Sequence, residues 1–123
     1  MVRILVVDDE PKIRAMITAI LEPEGFEVIS AESGEEALQR IAQSPPHLLI
    51  SDMKLTGMSG LELLRQARAT HPQMLAFLLT GFDDDEVERQ ATALGALGVI
   101  RKPLVLSQLR QTIKDALAKL PTT

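Results

Sequence analysis

Apolar and polar positions along this chain follow two alternating periods. Ile4-Leu5-Val6-Val7 is a continuous apolar run ending in Asp8-Asp9, and the pattern returns where Leu48-Leu49-Ile50-Ser51 meets Asp52 and where Val99-Ile100-Arg101 meets Lys102-Pro103. Apolar runs of about four to eight residues bounded by turn signals predict buried strands. Arg3 to Asp8 is then a first strand, and Ile13, Met16, Ile17, Ile20 and Leu21 form one face of a helix with Pro11 in its first turn. Gly25 breaks the helical pattern, and Phe26 to Ser30 reads as a second strand. Ser33 stands as N-cap ahead of Glu35 and Glu36, which the helix macrodipole favours there. That second helix turns Ala37, Leu38, Ile41 and Ala42 inward until Pro45-Pro46 stops it.

The alternation continues. Leu48 to Asp52 is a third strand, residues 53–60 a loop, and Leu61, Leu64, Ala67 and Arg68 belong to a third helix ended by His71-Pro72. Met74 to Thr80 is a fourth strand, and Asp83-Asp84-Asp85-Glu86 opens a fourth helix with few apolar positions, Val87, Ala91 and Leu94. Gly95 and Gly98 bracket the turn into a fifth strand, and Leu106, Leu109, Ile113, Leu117 and Leu120 mark a fifth helix. Strand–helix units with short connections predict an α/β fold, a doubly wound parallel sheet with helices on both faces. Such sheets bind ligands beyond the carboxyl ends of their strands. Asp8, Asp9, Asp52, Thr80 and Lys102 all fall at that edge.

Composition narrows the classes. At 123 residues the chain is one domain able to bury a single core. A net charge of −4 with no Trp or Tyr argues against a nucleic-acid surface, which needs a basic patch or stacking platforms. No apolar stretch approaches the roughly 18 residues of a membrane span, and no signal-peptide pattern opens the chain. The absence of cysteine excludes disulfides and thiolate metal sites and fits a reducing compartment, so a cytoplasmic location is expected. The domain is expected over residues 1–120, with Pro121-Thr122-Thr123 as a tail or the start of a linker.

The strand ends carry the chemistry. Carboxylates brought within a few ångströms raise one another's pKa, so Asp8, Asp9 and Asp52 require a positive partner. Lys102 and a hard divalent cation such as Mg2+, which takes carboxylate, water and phosphate oxygens, meet that need. Asp52 can then serve as a nucleophile, since carboxylates form covalent phosphoryl intermediates. Phosphoryl transfer depends chiefly on positioning and charge neutralisation, to which Lys102 and the Thr80 hydroxyl are suited. A lone Asp at a strand end is more often a turn or cap residue. Three of them with Lys and Thr, at four strand ends of one sheet, form a constellation.

In these residues the chain resembles a response-regulator receiver domain of the CheY-like kind, over its whole length. The resemblance rests on Ile4-Leu5-Val6-Val7-Asp8-Asp9-Glu10, on Asp52-Met53-Lys54-Leu55-Thr56-Gly57-Met58-Ser59-Gly60, on Thr80-Gly81, and on Gly95-Ala96 through Lys102-Pro103. It implies a flavodoxin-like sheet of strand order 2-1-3-4-5. It also implies that Asp52 accepts a phosphoryl group from a histidine kinase, a histidine phosphotransfer protein or a small phosphodonor. Asp9, Asp52 and the backbone carbonyl of Lys54 would bind Mg2+ (or Mn2+) with Asp8 assisting through water, while Thr80 and Lys102 contact the phosphoryl oxygens. The Lys102–Pro103 bond is often cis in the family. The output surface it implies is the fourth helix, fifth strand and fifth helix, where Glu88, Arg89, Arg101, Gln108, Arg110 and Gln111 are candidate exposed positions. A downstream protein or a fused output domain would read that surface, and the unphosphorylated domain would be a monomer able to dimerise on phosphorylation.

Two departures stand out. Thr56 replaces a proline common in the family, which loosens the loop without touching the chemistry. Val99 stands where relatives usually carry Tyr or Phe, a ring that swings inward as the threonine moves. The switch set is therefore Thr80, Phe82 and Val99, with Thr80 reshaping residues 81–84 and the Phe82 ring as the mobile group. Lys54 is equally a tuner of phosphoryl lifetime or a solvated loop lysine. His47 and His71 lack partners at ligand spacing, and the Met residues read as core filler. The leading function is a phosphorylatable signalling switch rather than an enzyme. A phosphohydrolase lacks a general acid beside Asp52, and a flavin protein lacks its phosphate loop and aromatic sandwich. A pseudo-receiver that works without phosphate is the alternative.

Overall fold

A computed structural model describes residues 1–81 and 85–120. Its elements are β1 (Arg3–Val7), α1 (Pro11–Leu21), a 3-10 turn (Glu22–Glu24), β2 (Glu27–Ala31), α2 (Gly34–Gln43), β3 (Leu48–Asp52), α3 (Gly60–Thr70), β4 (Leu75–Thr80), α4 (Asp85–Ala93), β5 (Gly98–Arg101) and α5 (Leu106–Leu117). The strands form one parallel sheet in the order β2-β1-β3-β4-β5. This is the flavodoxin-like arrangement expected of the sequence.

The apolar runs are continuous because both sheet faces are covered. Leu5, Val7, Leu49 and Leu78 share one buried cluster with Ala37 and Ile41 of α2, Leu63, Leu64 and Ala67 of α3, and Ala91 of α4. Ile4, Val6, Leu48, Ile50 and Leu79 point the other way, into a cluster with Ile17 and Leu21 of α1 and Leu109 and Ile113 of α5. Alternate residues of each strand thus feed opposite cores. In α4, Ala91 is the buried residue, consistent with its sparse apolar pattern.

Helix ends follow the sequence closely. Ser33 caps α2 by accepting from the Glu36 N–H at 3.2 Å, and Ser59 caps α3 by accepting from the Glu62 N–H at 3.1 Å. The differences are local. β1 ends at Val7 rather than Asp8, although the Asp8 N–H still donates to the Ala31 carbonyl at 3.2 Å. β2 runs one residue later than expected, leaving Phe26 to cover the α1–α5 core. Ala42 is exposed rather than inward, because a residue next to Ile41 is turned about 100° around the helix from it. Leu63, not singled out beforehand, is fully buried instead. Arg68 is no simple face residue: it donates to the Met74 carbonyl and packs beneath Gly95, whose φ of 101° requires glycine. His47 has a structural role, its Nδ1 accepting from the Arg3 N–H at 3.0 Å. Asp83 and Asp84 of the expected helix start, and the tail at 121–123, lie outside the described residues.

Candidate functional site

Strand register gathers the site. Val7 pairs with Ser51, Asp52 with Leu79, and Thr80 with Arg101. Asp52 and Thr80 therefore lie in the last pairs of their strands, Asp8 and Lys102 one residue beyond theirs, and Asp9 two residues beyond. Two further backbone bonds close this edge, from the Met53 N–H to the Leu79 carbonyl at 2.9 Å and from the Lys102 N–H to the Thr80 carbonyl at 2.8 Å. The Lys102–Pro103 peptide bond is cis.

The Lys102 ammonium bridges two carboxylates, 3.1 Å from Asp8 Oδ2 and 3.3 Å from Asp52 Oδ2. Asp8 is completely buried, and its Oδ1 accepts from the Glu10 N–H at 2.9 Å. Asp52 is buried, with the Lys54 N–H a long 3.5 Å from its Oδ1. Burial pushes the Asp52 pKa up, the Lys102 charge pulls it down, Asp8 repulsion adds to the rise, and the result is upward. For Lys102, burial works against the charge, but the bonds and attraction to Asp8 and Asp52 prevail and hold its pKa above the ordinary lysine value. One cation thus balances two buried carboxylates, and the site keeps an excess of negative charge.

Asp9 stands exposed at the rim of an open cleft of about 380 Å³, lined also by Glu10, Asp52, Met53, Lys54, Gly81 and Lys102. Carboxylate oxygens of Asp8, Asp9 and Glu10 lie within 4.8 Å of one another. This all-oxygen set, beside the buried Asp52 carboxylate, fits a hard divalent cation with retained waters. A wider depression of about 540 Å³ lies along α2, lined by Ser33, Glu35, Glu36, Gln39, Arg40 and Gln43. It gathers no converging chemistry of the kind found at the strand ends.

Thr80 is buried beside this edge, and Val99 is half-buried against the core cluster shared by α2, α3 and α4. Phe82 lies outside the described residues. Two supports of Asp52 carried little signal in the sequence. The buried Ser51 hydroxyl donates to the Asp52 carbonyl at 3.0 Å, and a Cβ on Gly60 would run into that same oxygen. A serine within an apolar run was the one visible clue to the first. Glu10 is a further acid at the cleft, where the sequence had suggested Asp8, Asp9 and Asp52.

The response regulator receiver domain profile matches residues 4–114. Sporulation initiation phosphotransferase F of Bacillus subtilis (strain 168) is 29% identical over 115 residues, covering 94% of this chain and 93% of that protein. A cyclic di-GMP phosphodiesterase of Thermotoga maritima is 35% identical over 114 residues, covering 93% of this chain but only 30% of its own length. Among solved structures, a CheY-like receiver domain protein from Methanospirillum hungatei JF-1 superimposes with a TM-score of 0.91 at 35% identity, covering 97% of this chain and 95% of that one. The chain therefore spans nearly all of some relatives and about a third of others.

Proposed function

Because the chain belongs to the response regulator receiver domain family, we propose that Asp52 accepts a phosphoryl group and that the resulting charge switches a protein-binding surface. The donor is the phosphohistidine of a histidine kinase or a histidine phosphotransfer protein, or a small phosphodonor. An Asp52 carboxylate oxygen attacks phosphorus, and the bond to the donor nitrogen or oxygen breaks with its electron pair leaving on the donor. Asp8, Asp9, Asp52 and the Lys54 backbone carbonyl would hold Mg2+, with Glu10 beside them. When bound, the ion supplies positive charge against the transferring oxygens.

This chain's own groups do the rest. Asp52 must be ionised to attack, and the Lys102 ammonium at 3.3 Å opposes the upward push of burial on its pKa. After transfer, Lys102 and the Thr80 hydroxyl turn to phosphoryl oxygens, adding charge-assisted bonds where about −1.5 to −2 of charge has arrived. The Lys102 N–H bond to the Thr80 carbonyl couples these two residues along the β4–β5 edge toward α4, β5 and α5. Glu88, Arg89, Arg101, Gln108, Arg110 and Gln111 are exposed there and are the proposed contacts for a downstream protein or fused output domain. The unit is residues 1–120, a cytoplasmic monomer that can dimerise when phosphorylated, and it acts as a switch rather than a turnover enzyme. Among the described residues no helix is long and apolar enough to cross a membrane.

The observation that carries this reading is one half-buried lysine shared by the buried Asp8 and Asp52 at the mouth of an acidic cleft. Val99 in place of an aromatic ring favours the second reading, a pseudo-receiver. Amide NMR with Mg2+ and beryllofluoride, a phosphoryl mimic, separates the two. Shifts at Asp52, Thr80 and Gly81 that spread into α4, β5 and α5 support the switch. A protein that binds neither reagent is the pseudo-receiver.

A further inference from the structure

Arg14 touches the site without lining it. Its Nη1 donates to the Asp8 carbonyl at 2.7 Å, and its Nη2 lies 3.7 Å from Glu32 Oε1. The side chain is only 15% exposed, deep for a residue type that is mostly on the surface. Every other contact of Asp8 fixes a different part of it. Its N–H is held by the Ala31 carbonyl, its Oδ1 by the Glu10 N–H and its Oδ2 by Lys102. The Asp8 carbonyl belongs to the peptide unit that continues into Asp9, and that unit is planar and stiff. Holding its oxygen therefore sets the direction in which Asp9 leaves the strand end.

We propose that Arg14 is a positioning residue for the divalent cation: by gripping the Asp8 carbonyl it orients the Asp8–Asp9 peptide and aims the Asp9 carboxylate at the cleft. This rests on the Mg2+ reading given above. A lone cation so close to the cleft would repel a metal, but Glu32 pairs the guanidinium on its other side. The hydrogen bond, rather than the charge, is then its main effect. A guanidinium serves two acceptors from a planar fork, and the compact lysine ammonium does not replace it at such a site.

The test titrates Mg2+ into the full chain by calorimetry, comparing wild type with Arg14→Met and Arg14→Lys and checking folding by circular dichroism. Arg14→Met is expected to weaken Mg2+ binding about tenfold, the scale on which supporting partners of metal ligands act. Arg14→Lys recovers part of that loss. The Mg2+-induced amide shifts of Asp9 and Glu10 change pattern in both variants, and saturating Mg2+ restores wild-type phosphoryl incorporation. Unchanged or tighter Mg2+ binding in a folded Arg14→Met protein overturns the proposal, as does a lowered maximum with unchanged affinity. Should Arg14→Met not fold, wild-type Mg2+ affinity in Arg14→Lys overturns it. A wild type that binds Mg2+ but never takes a phosphoryl group refutes the phosphoacceptor reading alone; one that binds no Mg2+ removes both.

Discussion

Replacing Asp52 with Asn should stabilise the metal-free protein at neutral pH, although Asp52 sits in an ion pair. At an effective dielectric of about 20, its 3.3 Å contact with Lys102 is worth about 5 kcal/mol. Against this, Asp8 shares the same ammonium, and carboxylates roughly 5 Å apart repel by about 3 kcal/mol on the same scale. Burying the charged carboxylate costs several kcal/mol more even after relaxation. Burial is the largest influence on Asp52 and the net push on its pKa is upward, so the ionised form is held at a loss. An amide keeps the shape, offers an oxygen to Lys102, and leaves Asp8 and Lys102 as a neutral pair. The expected gain is about 1–2 kcal/mol, or roughly 4–10 °C in Tm.

The pH dependence gives the sharper test. A carboxyl whose folded pKa is raised contributes stability that is fully present below its unfolded pKa and lost as pH rises through the folded value. The advantage of Asp52→Asn is therefore greatest above the folded pKa of Asp52 and shrinks as acid protonates Asp52 in the wild type. Urea unfolding in EDTA, followed by far-UV circular dichroism because the chain has no Trp or Tyr, measures it. Saturating Mg2+ should narrow the gap by stabilising wild type more. A variant less stable than wild type at pH 7 without metal would refute the charge balance argued here.

Three further outcomes follow from the same geometry. Lys102→Met strands the fully buried Asp8 and should cost about 3–5 kcal/mol at pH 7; an unaltered melting curve would contradict the bridge. Gly60→Ala places a Cβ against the Asp52 carbonyl and 3.0 Å from the Met53 Cα. Overpacking should outweigh the better helix propensity of alanine and cost about 1–3 kcal/mol, with slower phosphorylation; a variant as stable and as fast as wild type would show that the backbone yields freely. Val99→Tyr should enlarge the amide-exchange response of α4 and β5 to beryllofluoride, and identical exchange maps would count against position 99 as part of the read-out.

Most of the fold was legible because both covers of the sheet leave continuous apolar runs, and Pro11, Gly25 and Pro45-Pro46 punctuate them. The principal groups at the site, Asp8, Asp52, Thr80 and Lys102, were visible for a related reason: a charged or hydroxyl residue directly after a buried run must emerge at the sheet edge. What stayed hidden depends on contacts distant in the chain or on backbone atoms. Ala42 looked inward by composition alone, yet the helix phase turns it to solvent. Arg68 beneath Gly95 and Gly60 against the Asp52 carbonyl are close approaches that no periodicity encodes. The grip of Arg14 on the Asp8 carbonyl is likewise a side chain finding a main-chain oxygen six residues away.

The central claim is that Asp52 is a Mg2+-dependent phosphoacceptor, and intact-mass analysis after incubation with acetyl phosphate addresses it directly. The account predicts addition of one phosphoryl group in Mg2+, none in EDTA, and none in Asp52→Asn. Wild type that stays unmodified while folded and bound to Mg2+, or Asp52→Asn that is modified as readily, would contradict it.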